Sequence, residues 1–393
     1  MKTLSVWVGE SRTGMLQREG RKQYAFGYLP AASEAVSLTM PVRLQSWMSS
    51  ELHPVFQMNL PEGALLEAIR RAIAKIIGED DLDILLATGA SQIGRNRFSS
   101  LESIAPAMPA DVESLEEILT YPDTQELFRE LVNRYALRSG VSGVQPKVLL
   151  DATVRGTLYS AGYIVKTWGS DYPFLAANEF FCMTAAKAAG LAVPDFYLSE
   201  NGGFLVMSRF DRTSDGTALG FEDMCSLQAF GTAQKYAGSY ERIAKSLKSY
   251  LSGEFLPAAR RQFFATLVLS SMVRNGDAHL KNFGVLYPSP QGPVTLAPVY
   301  DIVTTAAYLR HDVPALSLAG TKKWWPRKML EQFAIAHLSL PIGEIDEIVA
   351  RLAEAVMATR RLIPQYSADH PEFSATGELM MSIWEAGVKD FER

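Results

Sequence analysis

The sequence predicts an α+β protein, with a small mixed N-terminal domain followed by a two-lobed unit whose C-terminal lobe is mainly helical. Three observations predict it. The first hundred residues hold short β-like runs and then one amphipathic helix. The next hundred run loop, strands, helix, strand. The remainder is a succession of helices interrupted by a single β-like pair. The expected boundaries are residues 1–108, 109–210 and 211–393.

With 393 residues, 48% apolar and 21% charged, the chain can bury a large core and is not a disordered polymer. A net charge of −5 gives no general attraction to nucleic acid or acidic lipid. Cys182 and Cys225 are too few and too far apart for a zinc pattern or a disulfide framework and read as reduced, buried thiols. The N-terminus, Met1-Lys2-Thr3-Leu4-Ser5, carries no apolar signal region, and no apolar run is long enough for a bilayer span. The expected location is therefore the cytosol, with no membrane partner.

In the first domain, Leu4–Val8, Tyr24–Leu29 and Ala35–Met40 read as strands. A helix follows Pro61, because Leu65, Ile69, Ile73 and Ile76 recur at helical spacing and proline suits a first turn. Ala105–Pro109, with two prolines among small residues, reads as a linker. The second region begins with one helical stretch from about Ser114 to near Arg138. A glycine-containing loop at Ser139–Lys147 and strands at Val148–Val154 and Tyr163–Thr167 follow. Pro173–Ala189 reads as a helix stopped by Gly190, and Phe204–Met207 as a further strand. In the third region an apolar helix containing Phe263, Leu267, Ser270 and Ser271 leads into Asn275-Gly276-Asp277. Phe283–Tyr287 and Val294–Val299 form the β-like pair.

The chemistry is concentrated in Asp277-Ala278-His279-Leu280-Lys281-Asn282. Phosphoryl transfer needs a carboxylate near the attacking hydroxyl and oxygen ligands for Mg²⁺ beside the phosphates. An Asp followed five positions later by an Asn has the spacing of a kinase catalytic loop. The β-like pair then brings its open ends together, with neighbouring strands roughly 5 Å apart. Asn282 lies just before it and Asp301 just after, so two oxygen ligands far apart in sequence are expected to meet. Mg²⁺ needs no more than one or two protein ligands besides phosphates and water. His279, with no second clustered His or Cys, reads as a loop-shaping hydrogen-bonder, and Lys281 as an offset to phosphate charge or an idle surface lysine.

Two further features fit a nucleotide. Gly140-Val141-Ser142-Gly143-Val144-Gln145-Pro146-Lys147 has small residues that would let backbone N–H groups approach phosphates. Lys166 is a lone cation in an apolar strand and needs a partner when desolvated; Glu179 in the next helix can supply one. Gly89–Asn96 is not a P-loop, since Arg95-Asn96 replaces the required Lys and Ser/Thr. Lys322–Lys328 mixes bases with Trp324 and Trp325 and reads as a surface loop.

Over nearly its whole length the chain resembles the HipA family of bacterial serine/threonine kinase toxins. The N-terminal likeness lies in Val6-Trp7-Val8, Val36–Pro41 and Asn59–Gly63. The kinase core is similar at Ser142–Lys147, Asn178-Glu179, Ser208-Arg209-Phe210-Asp211-Arg212, Asn275–Phe283 and Tyr300-Asp301. The resemblance implies Asp277 as catalytic base and Asn282 and Asp301 as Mg²⁺ ligands. It implies ATP binding by Ser142, Gly143, Val144, Gln145, Lys147, Lys166, Glu179, Met207, Ser208, Phe210, His279 and Lys281. It further implies a protein substrate such as an aminoacyl-tRNA synthetase, and a helix-turn-helix antitoxin through which operator DNA is reached indirectly. Many relatives are switched off by autophosphorylation of a serine in the Gly-rich loop. Here Gly140 stands where the best-known pattern has that serine, and Ser142 takes the role, with Ser139 the other candidate. A small-molecule phosphotransferase of the aminoglycoside-kinase type shares the Gly-Asp-x-His-x-x-Asn loop. A non-catalytic antitoxin-binding pseudokinase is the remaining alternative.

Overall fold

The structure is a computed structural model that describes residues 2–20, 23–74, 77–90, 92–101, 114–136, 156–160 and 162–392. The linker at Ala105–Pro109, the loop at Ser139–Lys147, the strand at Val148–Val154 and Ile76 lie outside the described residues. The chain divides into two compact units. The first is Met1–Pro173, Tyr197–Thr232 and Val285–Pro293; the second is Phe174–Phe196, Ala233–Gly284 and Val294–Arg393.

The first unit opens with an antiparallel five-stranded sheet in the order Trp47–Ser49, Gln23–Tyr28, Ser11–Glu19, Lys2–Val8, Asn96–Ser99. Register explains its inner face. Leu4 sits opposite Leu16, Leu16 opposite Phe26, and Val6 opposite Phe98, so five apolar side chains share one surface. All are buried, in one core with Phe56, Leu82 and Leu85. The expected strands at Leu4–Val8 and Tyr24–Leu29 are present, and Ser11–Glu19 is an additional strand between them.

Ala35–Met40 is not a strand but a loop with one isolated bridge, Ser37 to Met40. Side chains satisfy its backbone where a neighbouring strand would otherwise be needed. The Tyr28 hydroxyl accepts from Val36 N–H at 3.0 Å and donates to the Met40 carbonyl. The buried Glu222 carboxylate accepts from the Ser37 hydroxyl and from Leu38 N–H, each at 2.7 Å, and from the Tyr287 hydroxyl at 2.7 Å.

A second sheet runs Gly156–Tyr159, Tyr163–Thr167, Phe204–Ser208, Phe196–Leu198. Its Val165, Phe204 and Val206 share a core with Ile69 and Ile73 of helix Gly63–Ile73 and with Phe128 and Leu131. The helical stretch expected from Ser114 is two helices, Leu115–Thr120 and Thr124–Leu131. Pro122 cannot continue a helix, and Asp123 starts the next by accepting from the Gln125 and Glu126 N–H groups at 3.0 and 2.9 Å.

The second unit is helical. Leu256–Met272 is buried on every side from Phe263 onward, including Phe264, Leu267, Val268, Leu269 and Met272, where its sequence turns strongly apolar after Arg260, Arg261 and Gln262. Ile342–Arg360 packs against it and against Leu175–Ala188. Ser374–Lys389 crosses its C-terminal end at Gly387, where a Cβ would stand 1.9 Å from the Met272 carbonyl oxygen. Only glycine permits that approach, which fixes the helix end from which the Asn275–Asn282 loop departs. Of the expected strand Val294–Val299, only Thr295–Leu296 is regular, while Ala297 donates its N–H to the Gly284 carbonyl at 2.9 Å.

Candidate active site

The loop from Asn275 to Asn282 starts from a deliberate helix stop. Arg274 takes the left-handed conformation at φ 55°. Asn275 N–H bonds back to the Ser270 carbonyl at 2.7 Å and Arg274 N–H to Ser271 at 3.4 Å. These are the two bonds of a Schellman C-cap, usually built on glycine. A non-glycine residue there costs on the order of 1–2 kcal/mol. The Arg274 side chain is held by the Ser271 carbonyl at 3.1 Å, by Asp390, and by the Trp324 ring 5.0 Å away.

The next turn is fixed residue by residue. Asn275 Oδ1 accepts from Asp277 N–H at 3.2 Å. Gly276 N–H donates to Thr305 Oγ1 at 2.6 Å, and that hydroxyl donates to Asp312. A Cβ on Gly276 would meet the Asp312 carboxylate at 2.1 Å, so glycine is required here by crowding. Burial raises the Asp312 carboxyl above its usual value; Thr305 opposes this and the charge of Asp277 adds to it. The buried Tyr240 hydroxyl donates to the Ala278 carbonyl at 2.9 Å, and Leu280 N–H donates to the Lys235 carbonyl at 3.1 Å. His279 is buried, with its N–H on Asn282 Oδ1 at 2.9 Å. That contact is made by the backbone and so does not depend on the imidazole.

Asn282 and Asp301 do meet: the Asn282 amide donates to the Asp301 carboxylate. Their neighbours are tied as well, since the Tyr300 hydroxyl donates to the Lys281 carbonyl at 2.5 Å. Asn178 then pins the chain beyond Asp301. Its amide group donates to the Thr304 carbonyl at 3.1 Å and accepts from Thr304 N–H at 2.7 Å, while Trp384 Nε1 donates to Thr304 Oγ1 at 2.7 Å. A cavity of about 20 Å³, room for about one water, is lined by Ser270, Asn275, Asn282 and Asp301 among others.

Asp301 and Asn282 carry the oxygen types that Mg²⁺ takes, a carboxylate and an amide oxygen, on two half-buried side chains. The amide nitrogen of Asn282 faces Asp301, and its oxygen, with two lone pairs, accepts from the His279 backbone N–H at one of them. Among the described residues no group of three or more His, Cys, Asp and Glu is placed to hold a metal. A site of two oxygens completed by phosphates is the magnesium pattern and not the zinc one.

The remaining expected residues divide between the units. The second unit also carries Glu179, buried in helix Leu175–Ala188. The first carries Lys166, Met207, Ser208 and Phe210. Lys166 lies on an interior strand, opposite Thr157 on one side and Leu205 on the other. Met207 is fully buried opposite Ile164, Ser208 and Phe210 are half-buried, and the Phe210 ring lies 5.7 Å from Phe221. Ser142, Gly143, Val144, Gln145 and Lys147 lie outside the described residues.

Three residues of the site carry no sequence signal of their own. Thr305 and Asp312 act on Gly276 from 29 and more positions away. Tyr236, 41 positions before Asp277, donates its hydroxyl to Asp277 Oδ1 at 2.8 Å. Each lies in a loop or at a single 3-10 turn, with no periodicity to mark it.

The α+β fold is kinase-like, and it sets Asn282, on the loop that carries Asp277, against Asp301. The family pattern for the HipA-like C-terminal domain matches residues 139–360, and that for the HipA N-terminal domain matches residues 4–99. The chain belongs to the HipA family. It is similar to two Sinorhizobium fredii proteins. One, named "Putative kinase Y4dM", is 27% identical over 81% of this chain and 84% of that one; the other, named "Putative kinase Y4mE", is 27% identical over 78% of each. The fold is that of HipA from Shewanella oneidensis MR-1, solved with HipB and operator DNA. The TM-score is 0.68, with 18% identity over 98% of this chain and 97% of that one. Among the described residues no helix is long and apolar enough to cross a membrane.

Proposed function

We propose that this chain is an ATP- and Mg²⁺-dependent serine/threonine-protein kinase that acts as a bacterial toxin. The observation that carries the reading is the convergence of Asn282 and Asp301 on the loop that bears the half-buried carboxylate of Asp277. Asp277 orients the acceptor hydroxyl and takes its proton as the oxygen attacks the γ-phosphorus. Asn282 and Asp301 would hold the magnesium ion, which would supply positive charge against the phosphates. His279 fixes the rotamer of Asn282, and Lys281 and Lys166 supply positive charge toward the nucleotide. The segment Ser142–Lys147 covers the phosphates, and Met207, Ser208 and Phe210 serve the adenine end, with Glu179 as the helix carboxylate of the kinase arrangement.

The family membership and the relatives named as kinases support phosphotransfer. The Shewanella HipA structure with HipB and operator DNA supports an antitoxin partner that carries the DNA contact. A match over residues 4–99 favours this reading over a small-molecule phosphotransferase. The target is proposed to be a translation protein such as an aminoacyl-tRNA synthetase. Phosphorylation of Ser142 would add about −1.5 to −2 charges where ATP phosphates bind and so switch the enzyme off.

Phosphoproteomics of cells expressing the wild type beside Asp277→Gln tests the proposal. One or a few serine or threonine sites that appear only with the wild type, together with growth inhibition, are expected. Equal growth inhibition by both, with no site specific to the wild type, would replace the kinase with a binding protein.

A further inference from the structure

The contact between Tyr236 and Asp277 has no place in the mechanism above. A kinase base is bonded by the hydroxyl that is about to be phosphorylated, and here a hydroxyl of the same chain already occupies that position, 2.8 Å from Asp277 Oδ1. The contact is built in. Lys235, next to Tyr236, takes the Leu280 N–H on its carbonyl at 3.1 Å, and the Tyr236 carbonyl takes the Lys322 ammonium at 3.1 Å. The ring stands edge-on to His279, 5.1 Å between centroids. The side chain nevertheless remains 45% exposed, so a phosphoryl group has room to arrive.

The surroundings also suit the product. Lys235 Nζ lies 5.4 Å from the centre of the Tyr236 ring, so one ammonium group stands beside the phenol, while Lys322 holds the Tyr236 backbone carbonyl. A phosphotyrosine carries about −1.5 to −2 charges at pH 7 and is stabilised by such a neighbour.

We propose that Tyr236 is an intramolecular phosphoacceptor, a second self-modification site beside Ser142; this rests on the kinase reading of Asp277. The phenolic oxygen forms a bond to the γ-phosphorus of ATP, and the bond from that phosphorus to the β,γ-bridging oxygen breaks. The electron pair leaves with ADP, and the phenolic proton passes to the Asp277 carboxylate. Because acceptor and base belong to one chain, the step is unimolecular in the ATP complex. The product places a phosphate beside the base and excludes other acceptors, so the reaction limits the enzyme's own activity.

The test is incubation of the full chain with Mg-ATP, phosphosite mapping, and ADP measured in parallel. Phosphotyrosine at 236 is expected, absent in Asp277→Asn and Tyr236→Phe, with a first-order rate unchanged on roughly tenfold dilution. ADP release with phosphate only on serine or threonine would overturn the assignment and leave the kinase reading standing. A label at Tyr236 whose rate falls with dilution would overturn the intramolecular step. No ADP release from the wild type would remove the kinase reading and this proposal with it.

Discussion

Two acid-containing motifs look alike in sequence and differ completely in space. In the first unit, Arg209-Phe210-Asp211 forms a closed pair. Arg209 Nε and Nη2 each donate to one Asp211 oxygen at 2.6 Å, and Gly94 N–H adds a third bond at 2.6 Å. The other guanidinium bonds go to the carbonyls of Ser160 and Gln92. Both side chains are almost wholly buried, at 1% and 0% exposure. Burial works to raise the Asp211 carboxyl, but Arg209 and the bonds around it hold it below its usual value. In the second unit, Asp277 and Asp301 are half-buried, with a tyrosine hydroxyl on one and an amide on the other. A carboxylate saturated by its own fold holds the fold together. A carboxylate left partly open to solvent is available for chemistry.

The comparison can be broken in four places. Asp277→Asn gives the largest effect: phosphotransfer falls by about 10²–10⁴-fold, as for loss of a general base, while the melting temperature holds. Parallel kinase assays and thermal melts check it. Asp211→Ala does the reverse. It leaves a buried guanidinium unpaired and costs about 3–5 kcal/mol, seen as a lower denaturant midpoint. Gly276→Ala stands between the two, because its methyl must displace Asp312. A loss of about 1–3 kcal/mol is expected, with activity falling further than the melting temperature alone explains. Glu222→Gln is the smallest. Burial raises the Glu222 carboxyl above its usual 4.5 despite its bonds to Tyr287, Leu38 and Ser37. The folded state therefore keeps a proton that the unfolded state loses. The contribution of Glu222 is full below pH 4.5 and is lost as pH rises through the raised value. Melting curves of wild type against Glu222→Gln should diverge over that window, with the wild type losing stability and the variant not.

Much of the second unit was legible in the sequence because its signals are local. Asp277 and Asn282 share one loop, and the predicted return of the chain after Asn282 was enough to expect Asp301 beside it. Strand Tyr163–Thr167 is found where its apolar β-like run places it. Ala35–Met40 misled because β-like composition does not reveal that Tyr28 and Glu222, distant in sequence, satisfy its backbone. The single helix expected after Ser114 overlooked the break that Pro122 and Asp123 impose. Thr305, Asp312 and Tyr236 were illegible for the same reason: each reaches the loop from a turn or loop too short for a periodicity to announce it. The glycine of Asn275-Gly276-Asp277 drew no reading of its own from the sequence, because its constraint is the distant carboxylate of Asp312 packed against it.

The central claim is that Asp277, Asn282 and Asp301 perform phosphotransfer. Its most direct test measures ADP formation and protein-bound phosphate from Mg-ATP for purified wild type, Asp277→Asn and Asp301→Asn, alongside their melting temperatures. The account predicts transfer by the wild type, a loss of about 10²-fold or more in Asp277→Asn, and Asp301→Asn activity that returns only at raised Mg²⁺, with melting unchanged in all three. Transfer by Asp277→Asn at the wild-type rate would contradict it.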